Sequence, residues 1–172
     1  QNEYIYDQKE ICKLLVTQYN SQISINSNMP KVDKETFRNT EDGDLTDIEI
    51  LEEDIIKAIG DLNMNSSAGP DGIPAKLLIN TKYSIATPLK LILRKSLDEG
   101  KIPDLFKLAY VTPIHKGGSK LKPEQYRPVS LTSHVMKIFE RVVKINIMKH
   151  LIEQNLLNPG QHGFVPGRST KT

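Results

Sequence analysis

Residues 109–131 read Ala-Tyr-Val-Thr-Pro-Ile-His-Lys-Gly-Gly-Ser-Lys-Leu-Lys-Pro-Glu-Gln-Tyr-Arg-Pro-Val-Ser-Leu. Two apolar runs, Leu108 to Ile114 and Tyr126 to Leu131, flank a basic, glycine-bearing connection. β-Branched and aromatic residues bounded by turn formers predict two strands joined by an arm. Pro128 has no N–H to give a ladder, so its strand lies at an edge or begins there. It also pushes Arg127 toward an extended backbone, which limits the directions open to the guanidinium. Gly117 and Gly118 free the chain to turn beside Lys116 and leave nearby amides open. An arginine, a lysine and amides on one arm suit a polyphosphate or a nucleic-acid backbone.

Working outward, residues 134–153 carry Val135, Ile138, Phe139, Val142 and Ile145 at helical spacing, with Met148, Leu151 and Ile152 extending the stripe. Lys137, Arg141, Lys144 and Lys149 lie off that stripe. They make either a phosphate-tracking face or a plain solvated one. His134 and His150 stand alone, without metal-ligand spacing. Before the arm, residues 47–59 predict a helix with Thr46 and Glu49 as a capping box. Its stripe is Ile48, Leu51, Ile55, Ala58 and Ile59, and Gly60 is its stop. Glu52, Glu53 and Asp54 read as a solvated face.

Residues 61–74 form a loop, punctuated by Gly69-Pro70-Asp71-Gly72-Ile73-Pro74. Asp71 has no partner carboxylate in local reach and reads as a turn former. Residues 75–80 predict a short helix and 87–98 a longer one with Pro88 in its first turn. Leu89, Ile92, Leu93, Ser96 and Leu97 face a core, and Gly100 ends the helix. Lys90, Arg94 and Lys95 are either solvated or nucleic-acid contacts. At the N-terminal end, residues 8–20 have helical spacing at Ile11, Leu14, Leu15 and Tyr19, with Cys12 as a small core residue. Residues 21–43 are rich in Ser, Asn and Asp and read as a linker. Leu157 to Thr172 is mostly loop, with Phe164 expected to be buried.

The formal charge of +2 conceals an asymmetry. Residues 1–100 hold 11 Lys and Arg against 17 Asp and Glu, a net of −6, and residues 101–172 hold 12 against 4, a net of +8. A basic half is the electrostatic footprint of a nucleic-acid partner. A single cysteine excludes an internal disulfide framework and fits a reducing compartment. No apolar run reaches membrane-span length, and no secretory leader pattern or dense nuclear-targeting cluster is present, so no membrane partner is expected.

Tyr-Arg-Pro-Val-Ser-Leu (126–131) after Pro-Ile-His-Lys-Gly-Gly (113–118) resembles the fingers of reverse transcriptases, particularly those of non-LTR retrotransposons of the jockey-like or LINE-like kind. Ser-Ala-Gly-Pro-Asp-Gly-Ile-Pro (67–74) upstream and Gln-His-Gly-Phe-Val-Pro-Gly-Arg-Ser-Thr (161–170) downstream agree in order and spacing. Three blocks in sequence are specific where one is weak. The most important departure is an absence, that of the aromatic-x-Asp-Asp turn of the family's palm; in addition Phe106 stands where the family commonly has Trp, and Val165 where it usually has a basic residue.

The resemblance implies an α+β, mostly helical fold: a fingers subdomain with a short antiparallel hairpin packed on several helices, and no palm. Residues 1–43 would be a lead-in helix and linker, and 44–172 the partial polymerase domain. It implies that Lys116 and Arg127 hold the triphosphate of an incoming dNTP. The loop of Gly69, Pro70, Asp71 and Gly72, with Gln161 and Arg168, would meet the template. The partners would be an RNA template, a DNA primer, dNTP, and the palm and thumb of the same polypeptide. The metal would be Mg²⁺, held by palm carboxylates that 1–172 does not supply, so this chain alone is expected to be inactive. The setting would be intracellular, nuclear or cytoplasmic. The alternative from another class is a non-catalytic RNA-binding module from a truncated or domesticated element. A third is a protein-interaction domain whose acidic and basic halves dock to other domains.

Overall fold

A computed structural model describes residues 4–22 and 45–169. The elements are α1 (Gln8–Gln22), α2 (Glu52–Gly60), α3 (Ala75–Glu99), β1 (Ala109–His115), β2 (Tyr126–Thr132) and α4 (His134–Glu153). The chain is thus α+β and mostly helical, with one two-stranded antiparallel sheet. The linker read at 21–43 lies almost wholly outside the described residues. So does the boundary placed at 43/44.

The core is a three-helix cluster. Ile55, Ala58 and Ile59 of α2 pack with Leu78, Ala86, Leu89 and Leu93 of α3 and Val135, Ile138, Phe139 and Val142 of α4. These are the periodic positions of each helix, so the stripes meet as amphipathic packing requires. Each large side chain removed from water contributes about 1.5–3 kcal/mol. Phe106, in a 3₁₀ turn at Asp104–Lys107, packs against this cluster, so an aromatic there keeps a packing role.

Several expectations are corrected. The helix predicted over 47–59 begins only at Glu52, and Leu51 caps it without a side-chain bond. Residues 45–51 form neither helix nor strand. Asn146 of α4 donates from Nδ2 to the Glu49 carbonyl at 2.9 Å and accepts the Glu49 N–H at 3.2 Å. Arg94 donates to Asp47 at 2.9 Å and to the Ile48 carbonyl at 3.2 Å. Tertiary partners satisfy this backbone, so the local capping box never forms. Ile50 is buried in place of Ile48, and Leu51 is exposed.

The two helices predicted at 75–80 and 87–98 are one helix, with Pro88 inside it. An interior proline costs about 3 kcal/mol through its missing N–H and its clash with the preceding turn. Pro88 lies on the exposed side, while Ala86 and Leu89 on either side of it are buried. The stripe stays in register across the proline, and burial along it outweighs the break. Ile92 is exposed rather than core-facing, and Leu97 only half-buried. Ile145 is exposed as well. Cys12 is exposed, because α1 packs on the arm rather than in the core and buries none of its residues. Phe164 is 93% exposed, not buried, and sits at a left-handed φ of 64° in a loop with nothing to pack on.

Candidate nucleotide and nucleic-acid interface

β1 and β2 pair in one antiparallel register, with Ile114 opposite Arg127, Pro113 opposite Pro128 and His115 opposite Tyr126. The Lys116 N–H donates to the Gln125 carbonyl at 2.8 Å. Antiparallel ladders alternate bonded and non-bonded pairs. With Lys116 and Gln125 a bonded pair, Ile114 and Arg127 are bonded too, and the facing prolines fall on a non-bonded pair. Neither proline therefore leaves a gap in the ladder. Two prolines that each look disruptive in one strand are compatible once placed opposite one another.

The register also sorts the side chains. Arg127 shares a face with Ile114 directly opposite. Lys116, two residues beyond Ile114, keeps the parity of that face. Both cations are exposed, and among the described residues neither makes an ion pair. Glu124, a local acid, is not bridged to Arg127. Both strands expose most of their side chains, so the hairpin stands off the α2–α4 cluster and joins it at its root, while α1 meets the arm near residues 123–125.

The turn after Lys116 is held from within. Gly117 and Gly118 take φ of 119° and 80°, which a side chain would resist. The Tyr126 hydroxyl donates to the Lys120 carbonyl at 3.0 Å, and its ring tilts against His115 with centroids 5.2 Å apart. Tyr126 thus packs the arm. Lys116's own amide is used in the ladder, so it is not one of the open N–H groups expected there.

Gly69, Pro70, Asp71 and Gly72 lie at the other end of the hairpin, against its root. Gly69 is buried, and a Cβ there would fall 2.6 Å from the Thr132 carbonyl carbon and 2.7 Å from the Ser133 nitrogen. Only glycine allows that approach. The Gly72 N–H closes a turn on the Gly69 carbonyl at 3.0 Å. Asp71 accepts from the Ser133 hydroxyl at 2.5 Å and from the Ile73 N–H at 3.2 Å. Ser133 in turn caps α4 by accepting the Met136 N–H at 3.3 Å. His134, also buried, meets the Ser66 hydroxyl through Nε2 at 3.3 Å. Burial and the Lys137 ammonium push its imidazole below the ordinary value of 6.5. His134 is therefore no isolated residue.

Gln161 and Arg168 come together in the C-terminal loop. Arg168 donates to the carbonyls of Pro159 and Gln161 at 3.1 Å each, and Gln161 donates to the Gly163 carbonyl at 2.8 Å. Both exposed side chains brace the loop. Three cations read as solvated or phosphate-facing are occupied, Lys95 by Glu99 at 3.8 Å. Arg94 joins Asp47 and Asp98, and the Arg94 guanidinium holds the Asp47 carboxyl below its usual range. Arg141 joins Asp61 at 3.1 Å and the Ala58 carbonyl at 3.3 Å, at the C-terminal end of α2. A cation suits that helix end.

Sequence reasoning passed over Ser133, Ser66 and Asn146. Ser133 had a signal: a serine just before an apolar-periodic run is an N-cap signature. Ser66 and Asn146 had none, because their partners are 68 and 97 residues away.

Among the described residues no three His, Cys, Asp or Glu side chains gather to hold a metal ion. No described helix is long and apolar enough to cross a membrane.

No family model matches the chain. It is 33% identical over 119 residues to a protein of Drosophila melanogaster named as a probable RNA-directed DNA polymerase from transposon BS. That match covers 69% of this chain and 13% of the relative. It is 35% identical over 69 residues to the probable RNA-directed DNA polymerase from transposon X-element of the same organism, covering 40% of this chain and 8% of the relative. The chain spans a small part of the length of either relative.

Proposed function

Given that this chain belongs to the RNA-directed DNA polymerases of non-LTR retrotransposons, we propose that it supplies the fingers of such an enzyme. On this reading the arm grips the triphosphate of the incoming dNTP through Arg127 and Lys116. The turn at Gly69, Pro70, Asp71 and Gly72 meets the template backbone, and the loop with Gln161 and Arg168 flanks it.

One observation carries the reading: Arg127 is exposed, makes no ion pair among the described residues, and lies opposite Ile114, two residues before Lys116. A structural arginine in this chain behaves otherwise, as Arg94 and Arg141 show with their acid and carbonyl partners. An unpaired guanidinium on a chain extended by the following proline is available for an anion. The basic balance of residues 101–172 favours the same class of partner.

The work of these residues is binding and orientation. Guanidinium and ammonium groups offset the triphosphate charge and fix its position, each such charge-assisted bond contributing about 1.5–3 kcal/mol. In a polymerase carrying this segment, Arg127→Ala is expected to raise the KM for dNTP roughly ten- to hundredfold, in line with that energy, and to leave template affinity unchanged. Steady-state kinetics with varied dNTP test this. An unchanged dNTP dependence removes Arg127 from the role.

A further inference from the structure

We propose that Asp71 and Ser133 form a joint that couples the 69–72 turn to the Arg127 arm, so that a strand bound at the turn tightens triphosphate binding on the arm. The proposal rests on the reading just given and adds to it positioning residues and a coupling between its two subsites.

The joint is a short chain of contacts. Residues 132–134 are where the hairpin leaves the helical core: Thr132 ends β2, Ser133 caps α4, and His134 opens α4. Beyond that point the β2 strand has little contact with the α2–α4 cluster, since its residues 127–130 are exposed, and the arm meets α1 only near residues 123–125. Its junction with the helical cluster is the root, and the 69–72 turn buttresses that root. Backbone meets backbone at Gly69, with no side chain between to absorb a shift.

The Ser133 hydroxyl has two bonds. It donates to Asp71 and accepts from the first turn of α4. Moving Asp71 therefore disturbs the cap from which β2 departs. Arg127 lies five residues before Thr132 on the same strand, roughly 17 Å away at about 3.3 Å per residue. A small rotation at the joint becomes a larger displacement at the guanidinium. Ordering the joint with one ligand lowers the ordering cost left for the second, and the effect is reciprocal.

The test uses this chain. Calorimetry measures the affinity for dTTP with Mg²⁺, alone and with a short single-stranded oligoribonucleotide bound. Hydrogen exchange at the β2 amides is followed in parallel. The expected result is that the oligoribonucleotide tightens dTTP binding roughly fivefold or more and slows exchange at Arg127 and Val129. Asp71→Ala, compared at oligoribonucleotide concentrations that saturate the variant so that a lost strand contact is not read as lost coupling, abolishes both effects. Asp71→Asn, which offers one carbonyl oxygen in place of two carboxylate oxygens, keeps part of them.

Should Asp71→Ala lose its helical circular dichroism, the Asn variant carries the comparison, and full wild-type coupling in it overturns the proposal. Both ligands binding independently in the wild-type chain overturns the coupling and leaves the subsites standing. Failure of dTTP to bind at all overturns the nucleotide-gripping reading and this proposal with it.

Discussion

The helical cluster and the hairpin are built on opposite terms. In the cluster, α2, α3 and α4 each hide a periodic stripe, and among the described residues its twelve buried hydrophobic side chains include none from β1 or β2. The hairpin spends its apolar residues on the surface, with Tyr110 58% exposed and Val111 and Ile114 also open to solvent. Two strands with no covering layer are marginal by themselves, and this pair depends on its internal ladder, its turn bonds and its root. The contrast teaches that charge and exposure sit where packing does not need them. Arg94 and Arg141 in the helical region are tied to acids, whereas among the described residues Lys116 and Arg127 on the arm make no ion pair.

The comparison breaks most severely if the cluster proves dispensable. Ile55→Ala or Ile138→Ala removes a fully buried side chain at a site enclosed by three helices, and is expected to cost about 2–5 kcal/mol. Urea denaturation followed by circular dichroism would show it as a lower midpoint with an unchanged slope. Gly69→Ala comes next, at about 1–3 kcal/mol, because the added methyl meets backbone that cannot rotate away. Its midpoint should fall while Gly72→Ala, which meets no atom within 4 Å but sits at a φ of 68°, should fall less, by about 1 kcal/mol.

A third measurement sharpens the boundary between the regions through His134. Its folded-state affinity for a proton lies below the ordinary value of 6.5, so below about that pH the unfolded chain binds the proton that the folded chain refuses. Stability therefore rises with pH through this window and is lost as pH falls below it, with a slope of up to about 1.4 kcal/mol per pH unit. The groups facing the ring are Ser66, Lys137 and Asp71. Replacing His134 with Asn should flatten the slope in denaturation midpoints measured from neutral to mildly acidic pH. An unaltered slope would locate the titration elsewhere. The smallest effect belongs to the hairpin: Val111→Ala should stay within about 0.5 kcal/mol, and a loss as large as that of Ile55→Ala would show the arm to be packed in solution.

Much of this was legible in the residues. Ile55, Ala58 and Ile59, and Val135 through Val142, announced helices by spacing alone, because a buried stripe imposes the 3.6-residue period on the sequence. The two strands were legible from their apolar runs and their glycine connection, and Arg127 and Lys116 from the chemistry of cations beside a proline and glycines. The failures are equally specific. Thr46 and Glu49 spelled a cap that Asn146 and Arg94 made unnecessary. Pro88 spelled a helix start that burial of its neighbours overrode. Phe164 and Cys12 looked like core residues in places where no second layer arrives.

By itself the sequence determined what is local and periodic: which runs coil, which extend, where the chain can turn, and where positive charge accumulates. Only the tertiary structure decided what those elements do to one another. It set Pro113 against Pro128, Gly69 against Thr132, and Asp71 on Ser133. Among the described residues it also left Arg127 without an ion pair while giving two to Arg94. The reason is physical: spacing along a chain fixes the faces of an element, whereas hydrogen-bond satisfaction and close packing are settled by groups that sequence separation keeps far apart until the chain is folded.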